Sequence, residues 1–477
     1  MLFTSIFFWI IFIAFLMLFP LFRELSPKAM MLYVVAFSLA VFMKGSGWLV
    51  VVLLGVSVFT WAVVRYMNDQ QGKRRQLMLS LIIIADLLPL LYYKYSVAGA
   101  NLWSAMVGTN FSLEVIAVPA GISFFTFQAI SYAVDVYRKR FQQRLSYLEF
   151  LFYLSFFPIV FAGPITRAEV FFANFKRRGK GNKSPLQPIP TALLYAGLWF
   201  IMSGLIKKLV VADYIAQYND LIFDDPEAFS GFEVLMGTIG YSVQIFCDFS
   251  GYSDISIGMA ALLGVGLPEN FNYPYLSRNV TEFWHRWHIS LSSWFRDYIY
   301  IPLGGNRKGT MRTHLNIFLT MIVAGLWHGS TVMFLLWGAI HGVALILHKA
   351  NRTWLDKIPD NSLTKITSWL LTFIFIVAAW VFFRSDSLAT CNTIFSRIFL
   401  NMDMNYIVPF ISTRTLWVII LCLVGLAHLV RHRLHHSLID CYVRTPLIVK
   451  VLLFLVVVQL CIQMHSSSVQ PFIYYRF

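Results

Sequence analysis

The run Ile6 to Phe22, IFFWIIFIAFLMLFPLF, carries no charged residue and no polar alternation. A helix rising 1.5 Å per residue needs about 20 mostly apolar residues to cross the hydrocarbon core of a bilayer. A membrane-barrel strand would instead be short and alternate between apolar and polar positions. The run therefore reads as a spanning helix. Comparable runs recur at Ala29 to Met43, Trp48 to Val64, Gln76 to Tyr93, Thr191 to Val211, Gly237 to Leu263, Ile366 to Phe383, Leu416 to Val430 and Leu447 to Cys461. The expected fold class is an all-α polytopic membrane protein. Its first segment, Met1 to Phe22, lacks a basic leader and a small-residue cleavage site, so it reads as a retained span.

Composition agrees. Of 477 residues, 58% are hydrophobic and 13% charged, where a soluble domain carries about a quarter charged residues. The formal charge of +15 would suit a nucleic-acid partner. Lys and Arg nevertheless fall in short loops between apolar runs, the positive-inside pattern. Membrane lipids are the expected partner, and nucleic acid is not. Five cysteines are scattered without a C-x-x-C pair, which fits neither a disulfide framework nor a metal site.

The loop Arg65 to Arg75 is basic and is placed in the cytoplasm, so counting back puts the N-terminus outside; the C-terminus falls on the same side. Asp86 lies inside a span, where a charge marks either function or a buried partner. Tyr147 to Ala162 has basic sequence on both flanks and reads as a broken or re-entrant segment, with Phe157-Pro158 near its end. Arg177 to Pro190 is linker-like, and no repeat of 20–50 residues is present. The chain thus reads as one membrane domain: N-terminal helices at 1–175, a core at 191–348 and C-terminal helices at 364–477. Lys207-Lys208 fits the expected direction of its span poorly.

Two polar stretches carry candidate chemistry. Phe283 to Asn306, FWHRWHISLSSWFRDYIYIPLGGN, reads as an amphipathic helix with His285, His288 and Ser292 on one face. Arg286, Arg296 and Arg307 suit an anionic group such as a phosphate, although each taken singly fits a lipid-facing basic surface. The second stretch is Leu326-Trp327-His328-Gly329-Ser330. It lies between Leu315 to Leu326 and Val332 to Leu347, which read as half-helices returning to one basic side and holding His328 at their tip. Imidazole exchanges a proton near neutral pH. A lone buried histidine is more often a core residue, but the Trp-His-Gly-Ser cluster favours function, and Gly329 would admit a substrate closely. Gly237 to Leu263 carries Gln244, Asp248, Ser250, Tyr252 and Asp254, a polar set that must face the protein interior. Two histidines without a third ligand or an H-E-x-x-H motif do not make a zinc site, so no metal is expected. P-loop, G-x-G-x-x-G and G-x-S-x-G patterns are absent.

These residues resemble the membrane-bound O-acyltransferase family, in particular its bacterial branch that includes the alginate O-acetylase membrane subunit. The resemblance rests on Gly121 to Gln128, Phe161 to Arg167, Asp248 to Asp254, Phe283 to Asn306, Leu326 to Gly329, Trp380 to Arg384 and Pro471 to Tyr475. It implies a ring of about ten to twelve transmembrane helices with re-entrant segments around a central tunnel. It also implies that His328 is the essential histidine and His288 the second one, with His285 given no catalytic role. Trp327, Asp248, Tyr252, Ser292 and Arg296 would shape the tunnel or bind substrate. The implied activity moves an acetyl group from a cytoplasmic thioester such as acetyl-CoA, with no tightly bound cofactor, towards O-acetylation of a polysaccharide such as alginate or peptidoglycan. A periplasmic acetyltransferase and polysaccharide-assembly proteins are the implied partners, and a bacterial inner membrane the implied location. Polar residues in broken spans also fit a transporter or export channel, and a non-catalytic scaffold of a glycan-assembly complex is a third reading.

Overall fold

The structure, a computed structural model, describes residues 3, 5–109, 111, 113–114, 116–176, 188–429 and 432–464. The motif Pro471 to Tyr475 and most of the 177–190 linker lie outside them. Among the described residues there are helices and no strand. In chain order they are α1 (Ile6–Leu25), α2 (Pro27–Ser46), α3 (Val50–Met67), α4 (Gly72–Val107), α5 (Ile122–Tyr137), α6 (Tyr147–Ser155), α7 (Phe157–Val160) and α8 (Ala168–Lys176). There follow α9 (Thr191–Leu205), α10 (Asp213–Asp224), α11 (Gly231–Leu262), α12 (Val280–Arg286), α13 (Ile289–Phe295), α14 (Thr310–His328) and α15 (Val332–Ala350). The last are α16 (Arg352–Leu355), α17 (Ser362–Arg384), α18 (Leu388–Leu400), α19 (Ile407–Thr413), α20 (Thr415–Leu429), α21 (His432–Arg444) and α22 (Leu447–Gln463). Six helical stretches among the described residues are long and apolar enough to cross a membrane, or eight if two sharply bent pairs each count as one. The protein is a multi-pass membrane protein.

The chain divides into two compact units, Met1–Ile201 with Ile255–Pro268 and Met202–Asp254 with Glu269–Phe477. In the first, α1 buries Phe8, Phe12, Phe15 and Phe19 at spacings of three and four, which places them on one face. Phe157 packs against Phe12 and Phe15 at 5.7 and 5.9 Å between ring centroids. On α1's other face Ile6, Ile10, Met17 and Leu21 remain exposed, as suits side chains turned to lipid. Ser26 caps α2 by accepting from Ala29 N at 3.0 Å, with Pro27 at the first helical position.

Helix α5 is buried on nearly every side, from Ile122 to Val136. It begins at Gly121, whose φ is 73°; a Cβ there would lie 2.0 Å from the Val160 carbonyl oxygen. Only glycine fits this start. The expected break in Tyr147 to Ala162 falls at Phe156, between α6 and α7. The freed N–H of Phe157 finds Ser38 Oγ at 3.1 Å. Asp86 is fully buried beside Thr60, whose hydroxyl lies 2.8 and 2.9 Å from its two carboxylate oxygens. Thr60 is thus a buried partner of this carboxyl group.

In the second unit, the last residues of α9 lead into a π-helical turn, Ile206–Ala212, and then α10. Here the poor fit of Lys207-Lys208 is resolved. Lys208 Nζ reaches Asp213 at 2.7 Å and Asp248 at 2.5 Å, while Lys207 Nζ reaches Asp254 at 2.7 Å. Both charges are answered inside the protein, so they report nothing about membrane side.

The expected pair of half-helices is instead a hairpin of two 19-residue helices, α14 and α15, each about 28 Å long. Apolarity begins only at Leu315, yet the helix starts at Thr310, because its polar first turns are satisfied locally. Thr313 Oγ1 donates to Gly309 O at 2.8 Å and Asn316 Nδ2 to Gly305 O at 2.9 Å. The helices touch backbone to backbone at glycines: a Cβ on Gly325 would lie 2.3 Å from Phe334 O, and one on Gly338 2.4 Å from Met321 O. Small residues permit such approach where no hydrophobic force drives helices together.

Candidate active site

His328 is the last residue of α14 and is 4% exposed. Aromatic rings surround it. Trp337 and Phe383 each stand 5.0 Å away, edge to face, Trp327 stands at 4.8 Å, and Phe334 lies nearly parallel at 6.3 Å. In the direction a side chain at Gly329 would take, protein fills the space: a Cβ there would meet the Phe334 ring at 2.2 Å. Gly329 is extended, with φ −171°, so its value lies in the missing side chain and not in backbone freedom.

The continuous amphipathic helix expected through Phe283 to Asn306 does not form. It breaks between α12 and α13 at His288, which has φ 41° and ψ 56°. A left-handed conformation costs a non-glycine residue about 1–2 kcal/mol, so the surroundings must impose it. They do so through main-chain bonds on either side: Asn272 N donates to Arg286 O, and Ile289 N to Asn270 O, both at 2.9 Å. The break turns His288 away from its two supposed face-mates, His285 and Ser292. His288 is 1% exposed, with its ring 4.5 Å from Phe249 and 6.1 Å from Trp327. Burial lowers its pKa to about 3, so the imidazole is neutral at physiological pH.

His285, Ser292 and Arg296 instead line a cavity of about 700 Å³. Ser292 Oγ donates to Trp287 O at 3.2 Å. Arg296 holds Asp297 through Nε at 2.8 Å and Nη2 at 3.3 Å. Lys349 and Arg352 add positive charge to the wall, Glu282 and Asp356 negative charge, and Trp284, Phe295 and Met321 apolar surface. The wall on α14 climbs through Ile317, Thr320 and Met321 to Ala324. Ala324 is one helical turn before His328, a rise of about 6 Å.

Asp248 and Tyr252 are buried one turn apart on α11, with Asp248 in the ion cluster of Lys208. The structure therefore brings His288, Trp327 and His328 together around one indole and gathers Ser292 and Arg296 at the cavity. Sequence reasoning missed Asn270, Trp337 and Phe383. Phe383 stood inside the Trp380 to Arg384 motif; Asn270, in the Pro268–Pro274 loop, offers no local signal because its partners are 17 to 20 residues away. Among the described residues no group of three or more His, Cys, Asp or Glu side chains could hold a metal.

The sequence profile of MBOAT, the membrane-bound O-acyltransferase family, matches residues 25–391. A probable alginate O-acetylase of Pseudomonas putida is 38% identical over 332 residues, covering 69% of this chain and 65% of that protein. A peptidoglycan O-acetyltransferase of Helicobacter pylori is 35% identical over 361 residues, 70% of this chain and 67% of that protein. A teichoic acid D-alanyltransferase of Bacillus subtilis is 29% identical over 276 residues, 55% of this chain and 68% of that protein. The chain thus spans just under two thirds of the first of these relatives. Since the family's profile runs through α14, which ends on His328, and through α12 and α13, which flank His288, the chain belongs to the membrane-bound O-acyltransferase family.

Proposed function

We propose that the protein is a membrane O-acyltransferase that moves an acetyl group from a cytoplasmic thioester across the membrane for O-acetylation of a cell-surface polysaccharide. The observation that carries this reading is the cavity wall on α14, which ends one turn from a buried histidine. A thioester donor such as acetyl-CoA offers phosphates to Arg296, Lys349 and Arg352 and an apolar arm to Trp284, Phe295 and Met321. No tightly held cofactor is needed.

In the proposed step His328 takes the proton of an acceptor hydroxyl as its oxygen attacks the thioester carbonyl carbon. The C–O bond forms, the C–S bond breaks, and the departing thiolate takes the proton back from the imidazolium. The aromatic rings around His328 keep bulk water from competing as acceptor. His288 is the second histidine of this site, with the Trp327 ring near both, and Asp248 and Tyr252 belong to the surrounding wall.

The alginate, peptidoglycan and teichoic acid relatives all carry names of surface-glycan acylation, and we place the acceptor in that class. The setting proposed is a bacterial inner membrane with both termini periplasmic, working with a periplasmic acetyltransferase and polysaccharide-assembly proteins. The test is transfer or hydrolysis of a radiolabelled acetyl thioester by purified protein. His328→Ala, still folded, should lose at least about a hundred-fold in rate; an undiminished rate would overturn the assignment.

A further inference from the structure

Four hydrogen-bonding contacts converge on Asn270, which is 1% exposed. Its main-chain carbonyl accepts from Ile289 N at 2.9 Å. Its Oδ1 accepts from Ser290 N at 3.0 Å and meets His288 Nδ1 at 3.2 Å, while Nδ2 donates to Ser253 Oγ at 3.3 Å. A backbone N–H can only donate, so the network assigns the amide oxygen, not the nitrogen, to the side facing Ser290. That same oxygen faces His288 Nδ1. Having no proton to give, it requires one on Nδ1. A neutral imidazole has a single N–H, so its lone pair sits on Nε2. The competing contact, Ser290 Oγ to His288 Nδ1, is longer at 3.5 Å. Were it the donor, Nδ1 and Oδ1 would face each other as two lone pairs.

We propose that Asn270 is a positioning residue that holds His288 as the Nδ1–H tautomer and presents the Nε2 lone pair to the acyl-transfer site. The functional half of this rests on His288 belonging to that site; the tautomer itself does not. The arrangement serves both geometry and proton placement. Asn270 clamps the left-handed backbone at His288 from one side and sets the ring's proton from the other. Phe249, Phe271 and Trp327, among the ring's other neighbours, fix its plane without dictating which nitrogen is protonated.

Two experiments on the full-length protein test it. In the first, 15N-histidine-labelled wild type is compared with His288→Gln to assign the ring's signals. A protonated Nδ1 and an unprotonated Nε2 at pH 7 are expected, and the reverse would overturn the tautomer whether or not the protein proves to be an acyltransferase. In the second, acetyl-thioester turnover is measured per folded protein for Asn270→Leu and Asn270→Asp. The leucine variant should lose about ten- to a hundred-fold in kcat with little change in donor KM. The aspartate keeps an acceptor for Nδ1–H, so it should recover most of the rate at pH 8. Its carboxylate also raises the His288 pKa, so activity should fall on acidification along a limb that wild type lacks. Equal losses in both variants with the wild-type pH profile would reduce Asn270 to a packing role. If His288→Gln and His328→Gln both turn over normally, the functional reading fails instead, and the labelled signals still decide the tautomer.

Discussion

The Trp327 indole stands 6.1 Å from the His288 imidazole, centroid to centroid, at an interplanar angle of 58°. Its own chain neighbour His328 is 4.8 Å away on the same measure. One buried ring thus touches both histidines of the candidate site. Trp327→Ala should destabilise the protein by about 3–5 kcal/mol and lower turnover by at least about ten-fold, since both imidazoles lose a wall. Trp327→Phe should keep more of each. Thermal unfolding in detergent and acetyl-thioester turnover check the pair.

Gly329 and Phe334 should behave as a coupled pair. A methyl at Gly329 would displace the Phe334 ring, which lies parallel to His328. Gly329→Ala should therefore impair turnover and cost about 1–3 kcal/mol of stability. Gly329→Ala in a Phe334→Ala background should add little further loss, because the obstructing ring is gone. The double-mutant cycle should give a coupling of about 0.5–3 kcal/mol.

The ion cluster of Lys208, Asp213 and Asp248 is buried. Lys208→Met strands two carboxylates and should cost about 3–5 kcal/mol. Adding Asp248→Asn should recover part of that loss, since one buried charge is removed along with its partner. Denaturation midpoints of the single and double variants measure it.

Acid should weaken the fold partly through His288. Its pKa in the folded protein is about 3, below the ordinary histidine value of 6.5. Above pH 6.5 neither state is protonated and the group contributes nothing. As pH falls below 6.5 the unfolded chain gains a proton that the folded ring refuses, so stability drops by up to about 1.4 kcal/mol per pH unit. His288→Gln should flatten the decline in unfolding temperature between pH 6 and pH 4.5 relative to wild type.

The apolar runs made the spanning helices legible, because a bilayer leaves the backbone few alternatives. Trp327-His328-Gly329 stood out for the same reason, as a polar break in apolar surroundings. What the sequence misled on depended on contacts distant along the chain. Nothing in Trp287-His288 resembles a helix breaker; the break is imposed by Asn270 and Asn272. Lys207-Lys208 looked like a topology signal because Asp248 and Asp254 lie about 40 residues further on. At Gly329 the missing side chain makes room for the ring of Phe334, a neighbour that the sequence alone does not reveal. Ser292 shares a helical face with His288 only in an unbroken helix, and the left-handed turn at His288 separates the two.

The turn Ile206–Ala212 is wound in π fashion between two ordinary helices. A π turn holds one residue more than the α turn it replaces, so it works as a register offset, seating Lys208 against Asp213 and Asp248 while Lys207 meets Asp254. Loss of a single residue there would let the helix run on regularly, leaving the following side chains nearly in phase but redrawing the residues inside the turn. Lys208, inside the turn, would lose its seat against Asp213 and Asp248, although each residue of the cluster were still present.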